Sequence, residues 1–502
     1  MERFDVELAG SVRQPQPSAL DGPGSLTVPV EYSITYGSRA VADDVVLDGS
    51  FELTYDESTT RWLAPFREAM LWPGIRGADH FLIRRSWPRR GRILDRFGRV
   101  LAAGGGLRRR YPYGSLAGTT VGFTAPLTRK SMRDAPGDYY RTGDLAGATG
   151  LERAYERRLA GTPRVDLAVA DRRGKPIVVL ATKGGRRPRD VRTTLDMRVQ
   201  RATAGAFGST SGGVVVVKPR TGDLLAVVTS LEIDPNNYAG AGGIDPFNRA
   251  LAGLYPPGSA MKVVTAGAAL DSGAVTPRTR LTGPSEYQGV RNFESGSYPS
   301  LTFASALQNS VNTAFAQVAL DLGARRLSRY ARAFGFNEPP EMALGAATSS
   351  FPFPEDAGDL MWGSIGQAQD LATPLEMASI AATVANNGTR MEPRSARHEP
   401  KRGERVLKKR TARTLGGLME SVVQGGTGVN AQIGGVRVAG KTGTAEVDVD
   451  GKRRNHAWFI AFAPVGAPEV AVAVVSEYGG IGGQVAAPIA RSILAGVLPI
   501  TR

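Results

Sequence analysis

Five short apolar runs bracket a long helical text at 259–419, and this arrangement constrains the fold more than any other feature. The runs 214–217 and 224–228 flank a turn at 219–223 and read as a β-hairpin. Three more strand-like runs follow the helical text, at 436–449, 456–463 and 469–476, and 484–498 reads as a final helix. Two strands from the start and three from the end bury their apolar faces together only as one antiparallel sheet with helices over it. The expected fold is therefore α+β, a five-stranded antiparallel sheet covered by helices, beginning at the composition shift around 192–196 and occupying 191–502.

With 502 residues the chain exceeds the roughly 250 to 300 at which one core stops growing, so further domains must precede this one. Residues 25–55 alternate apolar and polar as antiparallel strands do, and 84–110 is basic and rich in Gly. The stretch 147–161 reads as a short amphipathic helix closed by Gly161, and VDLAVADRRGKPIVVL reads as a strand pair turning at Arg173 and Gly174. The region up to about 190 is thus expected to be strand-rich and extended.

Composition removes several function classes. There is no Cys, and only His80, His398 and His456 are present, too few and too scattered for a His-based metal cage. No Gly-x-Ser-x-Gly elbow supports a Ser-His-Asp hydrolase. The net charge of +15 attracts polyanions in general. Its clusters at 108–110 and 186–187 lack interleaved aromatics and read as a solvated basic face, so no nucleic-acid partner is expected. No apolar run reaches the roughly 18 residues of a membrane span, and residues 1–10 carry no signal segment.

Three motifs carry chemistry. Pro257-Gly258-Ser259-Ala260-Met261-Lys262 precedes the apolar run VVTAGAAL, so a buried helix should begin near Ser259 and place Ser259 and Lys262 on one face. A helix start leaves N–H groups free for a developing oxyanion, and burial lowers the pKa of Lys262 so that it can take the Ser259 proton. Ser310-Val311-Asn312 interrupts an apolar helical text with a hydroxyl and an amide suited to a proton relay and a substrate contact. Lys441-Thr442-Gly443-Thr444 lies on a strand, with Lys441 and Gly443 facing one way and Thr442 and Thr444 the other. Gly443 permits close approach, the Thr442 and Thr444 hydroxyls with Lys441 suit a carboxylate, and the Thr444 N–H suits a second oxyanion contact. Each motif alone has a bland reading: chance, a helix–helix polar contact, an ordinary strand. A rival pattern also matches, since Gly435 to Thr442 satisfies G-x-x-x-x-G-K-[ST], but a nucleotide-binding P-loop needs a strand before its first Gly and a helix at its Lys. Here a strand falls between the glycines.

Ser-x-x-Lys, Ser-x-Asn and Lys-Thr-Gly in that order are the set found in penicillin-recognising enzymes. With RTTLDMRVQ, NRALAGLYPPGSAMK, GSIGQAQDLATPLEMA, ANNGT and HAWFIAFAP, residues 191–502 resemble a penicillin-binding transpeptidase domain of the β-lactamase-like fold. RGRILDRFGRVLA and GLERAYERRLAG make 87–190 resemble the pedestal module of class B penicillin-binding proteins. Residues 1–86, ending in RWLAPFREAMLWPGIRGADHFLIRRS, resemble part of the NTF2-like domain of the MecA-type subgroup. The resemblance implies a D,D-transpeptidase that cross-links peptidoglycan stem peptides through an acyl-serine, is acylated by β-lactams, and uses no metal or cofactor. It implies Ser259 as nucleophile, Lys262 as general base, Ser310 as relay, Asn312 on the acylamido arm, Lys441 tuning the relay, and Thr442 and Thr444 on the carboxylate. It further implies an extracytoplasmic site, a membrane glycan polymerase as partner, and an anchor encoded upstream of this chain. Competing readings are a carboxypeptidase or β-lactamase, a silent β-lactam sensor, and a P-loop NTPase. Glu341, in a Glu-x-x-Leu segment, is the nearest match to a β-lactamase deacylation base and reads as coincidence.

Overall fold

The computed structural model describes residues 3–8, 27–38, 41–56, 58–63, 79–105, 108–237 and 246–501. Two compact units emerge, one built from 1–90, 127–144 and 157–189, the other from 91–126, 145–156 and 190–502.

In the first unit, strands Arg3–Leu8, Thr27–Ser38, Val41–Asp56 and Arg61–Leu63 pair in sequence order as an antiparallel sheet. This answers the alternation read at 25–55, while most of the run 61–78 lies outside the described residues. A second sheet pairs Arg164–Ala170 with both His80–Ser86 and Pro176–Lys183. Asp166 is buried there and accepts hydrogen bonds from Arg84, Arg164 and Thr182, which lower its pKa.

The second unit carries the five-stranded sheet. Its strands are β1 (Gly212–Lys218), β2 (Asp223–Thr229), β3 (Ala439–Val449), β4 (Lys452–Ala463) and β5 (Val470–Ser476), in the antiparallel order β2-β1-β5-β4-β3. The hairpin pairs Val214 with Val228, and β1 then pairs Val214 with Val474 of β5, so the start of the domain is stitched to its end. Because side chains alternate, Val214 and Val216 join Val472, Val474, Phe459 and Ala461 in one apolar layer. That layer is covered by α1 (Met197–Phe207) and by a C-terminal helix over Ala486–Thr501, through Val199, Phe207, Ile493 and Leu494. Asp196 caps α1 by accepting from the Arg198 N–H, the role its position before an apolar helix demands.

The text read as one helical block is less regular than its composition suggests. Its helices include α2 (Lys262–Ser272), α3 (Asn312–Leu322), α4 (Pro374–Ala385) and α5 (Lys409–Gly425). Two small strand pairs, Arg280–Gly283 with Tyr298–Thr302 and Glu286–Tyr287 with Val290–Arg291, interrupt it. Every residue of α4 is buried, as befits a helix packed on β1, β4 and β5 and covered in turn. The helix expected over 147–161 is two short pieces, Gly150–Ala154 and Glu156–Ala160, broken at Tyr155. Tyr155 leaves the helical conformation, and its hydroxyl bonds Ser395 and Glu399. The cluster at 108–110 is also not wholly solvated: Arg109 is buried and ion-paired with buried Glu152 at 2.7 Å, while Arg108 and Arg110 are exposed.

Candidate active site

The regular helix opens one turn later than the motif suggests. Gly258–Met261 forms a 3₁₀ turn and Lys262 begins α2. Gly258 has φ +53°, and a Cβ there would lie 2.6 Å from the carbonyl oxygen of Thr444, so glycine is demanded by conformation and by space. The Gly258 N–H donates to the Gly366 carbonyl at 2.8 Å, and the Trp458 indole N–H holds the Pro256 carbonyl at 2.9 Å. The turn carrying Ser259 is thereby tied to β4 and to the loop after residue 363.

Lys262 is fully buried, with its Nζ 3.0 Å from Ser259 Oγ, 2.7 Å from the Ser310 carbonyl, 3.2 Å from Ser310 Oγ and 2.5 Å from Asn312 Oδ1. Burial pushes its pKa well below the ordinary lysine value, and the neighbouring Lys441 charge adds to the effect. Ser310 and Asn312 do not sit inside one helix, as the apolar text suggested. A helix over Phe303–Gln308 ends first, Ser310 takes a left-handed φ of +58°, and Asn312 starts α3. That break points both the Ser310 hydroxyl and its carbonyl at lysine amines, and the strained conformation persists because the surrounding bonds hold it. The Asn312 Nδ2 donates to the Arg291 carbonyl at 2.8 Å.

On β3, Lys441 and Gly443 share a face as alternation requires. Lys441 is fully buried, and its Nζ donates to Ser310 Oγ at 2.8 Å and to the Thr442 carbonyl at 3.0 Å. Burial brings its pKa down to about 7. Its ammonium is thus directed at the Ser310 hydroxyl, more than at a carboxylate. Gly443 backs the nucleophile turn: a Cβ there would lie 2.8 Å from the Pro257 carbonyl oxygen and 3.2 Å from the Ala260 nitrogen. Thr442 Oγ1 and Thr427 Oγ1 are 2.7 Å apart, and Thr444 Oγ1 accepts from the Gly482 N–H at 3.2 Å. Thr427 was not singled out in the sequence. A threonine directly after the Gly425-Gly426 helix stop was the available signal, and a common one.

The structure thus gathers Ser259, Lys262, Ser310, Asn312 and Lys441 into one hydrogen-bonded cluster, with Thr442, Gly443 and Thr444 on the strand beside it. It denies the rival motifs their structural context. Lys441 and Thr442 lie within a strand, where a P-loop would begin a helix. Glu341 is exposed and ion-paired with Arg402. Among the described residues, no group of three or more His, Asp or Glu side chains suits a metal ion.

A serine next to a buried, deprotonatable amine, with a second amine beyond a second hydroxyl, is equipped for acyl transfer through a serine ester. Fold and cluster together define the serine acyl-transferase domain type. Residues 212–495 match the penicillin binding protein transpeptidase domain, and 105–193 match the penicillin-binding protein dimerisation domain. The chain is 36% identical over 403 residues to the peptidoglycan D,D-transpeptidase PbpA of Mycolicibacterium smegmatis, covering 70% of this chain and 80% of that one. The D,D-transpeptidase domain of a peptidoglycan glycosyltransferase from Eggerthella lenta superposes with a TM-score of 0.67 at 29% identity, over 83% of this chain and 99% of that one. Penicillin-binding protein A of Mycobacterium tuberculosis, as its ceftriaxone acyl-enzyme complex, gives a TM-score of 0.66 at 31% identity over 82% and 98%. The chain belongs to the penicillin-binding protein transpeptidase family, in its class B.

Proposed function

We propose that this chain is a peptidoglycan D,D-transpeptidase that works through an acyl-Ser259 intermediate and is blocked when a β-lactam acylates the same oxygen. The observation that carries the reading is the environment of the Lys262 amine. A neutral amine has two hydrogens and one lone pair. The Ser310 carbonyl accepts only, and so does Asn312 Oδ1, whose own amide nitrogen already donates to Arg291. Those two acceptors use both hydrogens. The lone pair is left for a hydroxyl donor, Ser259 Oγ at 3.0 Å or Ser310 Oγ at 3.2 Å, and the nearer, Ser259, donates to it in the neutral state.

Ser259 Oγ attacks the carbonyl between two terminal D-Ala residues as its proton passes to Lys262 Nζ. The oxyanion meets N–H groups of Ser259, at the helix start, and of Thr444. Collapse forms the ester and breaks the peptide bond. The departing amine receives its proton through Ser310, which Lys441 Nζ holds by a 2.8 Å hydrogen bond. A second stem's amine then attacks the ester and restores Ser259. Asn312 is assigned to the acylamido arm, and Thr442 and Thr444 to the terminal carboxylate, with Thr427 beside them.

Further assignments rest on the same resemblance. Modules 1–86, 87–190 and 191–502 are taken as an NTF2-like domain of the MecA-type subgroup, a pedestal and the catalytic domain; the family matches at 105–193 and 212–495 support the last two. The site works on the extracytoplasmic face of the membrane beside a glycan polymerase. Among the described residues no helix is long and apolar enough to cross a membrane. Intact mass after exposure to a labelled penicillin tests the function: one adduct, mapped by peptide mass to Ser259, is expected. An adduct elsewhere, or none, refutes it.

A further inference from the structure

Tyr478, exposed and just past the end of β5, holds a left-handed φ of +54°. That conformation strains a bulky residue and persists only where neighbours hold it. What holds it is His456 of β4. The buried imidazole lies between two tyrosine rings, edge to face with Tyr255 at 5.3 Å and tilted against Tyr478 at 4.9 Å, and its Nδ1 accepts the Tyr478 N–H at 3.2 Å. Nδ1 is therefore the unprotonated nitrogen of the ring. From this corner the chain runs as a strap along the site. The Gly480 N–H donates to the Asn455 carbonyl at 3.0 Å, the Gly482 N–H to Thr444 Oγ1 at 3.2 Å, and the Gly483 carbonyl accepts from Asn430 Nδ2 at 2.8 Å. A Cβ on Gly482 would lie 2.2 Å from the Gly443 carbonyl oxygen, and one on Gly483 would lie 2.4 Å from the Thr427 carbonyl oxygen. The strap thus rests directly on β3 at Thr444 and on Thr427.

We propose that His456 is a positioning residue for this reaction: its neutral ring pins the Tyr478 corner, and the pinned strap holds Thr444 and Thr427 in place for the substrate carboxylate. The inference rests on the transpeptidase reading and adds how the carboxylate side of that site is held and how acid releases it. Protonation puts a hydrogen on Nδ1, which then opposes the Tyr478 N–H and breaks the bond. The charged groups around the ring are Glu477, held by Ser211, Arg249 and Tyr255, and Arg454, which lies over the Tyr478 ring. Burial lowers the pKa of His456 and outweighs the opposing pull of Glu477, so the ring is neutral and the corner pinned at neutral pH. Glu477 keeps its own partners when the ring is protonated, so the segment that acid frees is the strap beyond it.

The test is the rate at which a chromogenic cephalosporin acylates the full chain from about pH 5 to about pH 8, the range in which histidine changes charge. His456→Phe keeps a ring between the tyrosines and removes the acceptor. His456→Asn places Oδ1 near the position of Nδ1 and does not titrate in this range. At the alkaline end His456→Phe is expected to lose about tenfold, the scale of a sub-ångström misplacement, and His456→Asn to recover the unmodified rate. On the acid side the unmodified rate should fall more steeply than that of His456→Asn, which keeps only the limb set by the lysines. The chain has three histidines, so the His456 resonance can be followed by NMR in the unmodified protein, and the extra fall should share its midpoint. That coincidence needs no variant to fold. An unmodified rate in His456→Phe, an equal loss in both variants, or no extra acid fall at the His456 midpoint overturns the proposal and leaves the transpeptidase reading standing. Failure of the unmodified chain to acylate removes that reading, and the role of the strap with it.

Discussion

Replacing Gly443 by Ala tests whether the distance between β3 and the nucleophile turn sets the rate. The added Cβ would stand 2.8 Å from the Pro257 carbonyl oxygen, 2.8 Å from Trp458 Cβ and 3.2 Å from the Ala260 nitrogen. Ordinary contact begins at 3.4 Å, so the shortfall is 3.4 − 2.8 = 0.6 Å. None of the three atoms is the free end of a flexible side chain, so backbone must yield. The turn carrying Ser259 then shifts by about 0.6 Å relative to β3, which widens the gap between the Ser259 and Thr444 N–H groups. A 1 Å misplacement costs about 100-fold in rate, so a loss of about tenfold is expected, along with about 1–3 kcal/mol of overpacking strain. Stopped-flow acylation by a chromogenic cephalosporin and thermal unfolding measure the two effects. Gly205→Ala is the control, since nothing lies within 4 Å of a Cβ on that helix position. It should leave acylation unchanged and stabilise α1 by about 0.5–1 kcal/mol. Wild-type acylation by Gly443→Ala would refute the argument that this contact positions the nucleophile.

Ser259→Ala should abolish the penicillin adduct, and Lys262→Ala should slow acylation by about 100-fold to 10,000-fold, read by mass spectrometry and stopped flow. Acylation should fall as pH drops, because Lys262 must be neutral to take the Ser259 proton; a rate flat with pH would contradict its role as base. Lys441 titrates at about 7 when folded and near 10.5 when unfolded, so between those values the unfolded chain binds the extra proton. Stability should therefore rise with pH across that window, and Lys441→Met should flatten the rise in urea unfolding curves. The penicilloyl-enzyme should persist for many minutes by timed mass spectra, and Glu341→Gln should not alter its lifetime, since Glu341 faces solvent in an ion pair with Arg402. Turnover of several penicillin molecules per second, slowed by that substitution, would establish a hydrolase.

Much of the architecture was legible because alternation and apolar runs are local. The 214–228 hairpin, the three closing strands and the last helix needed only side-chain periodicity, and the sheet followed from where their apolar faces must go. The residues Ser259, Lys262, Ser310, Asn312 and 441–444 were nameable from spacing and order. Their roles depend on distances between segments up to 182 residues apart, from Ser259 to Lys441, and no local pattern encodes those. The break at Ser310 illustrates the difference. Its apolar neighbours favour continuous helix, and only the two buried amines that its hydroxyl and carbonyl satisfy make the left-handed turn worth its strain. Arg109 is the same lesson in charge: three consecutive arginines read as a solvated run until Glu152 comes within 2.7 Å in a buried pair. The amino-acid order determined the five strands of the central sheet, which residues carry the chemistry and in what sequence they occur. Tertiary packing alone decided that Lys262 and Lys441 are stripped of water, that their pKa values fall, and that one serine lies between them, because desolvation is a property of the folded interior and not of any stretch of chain.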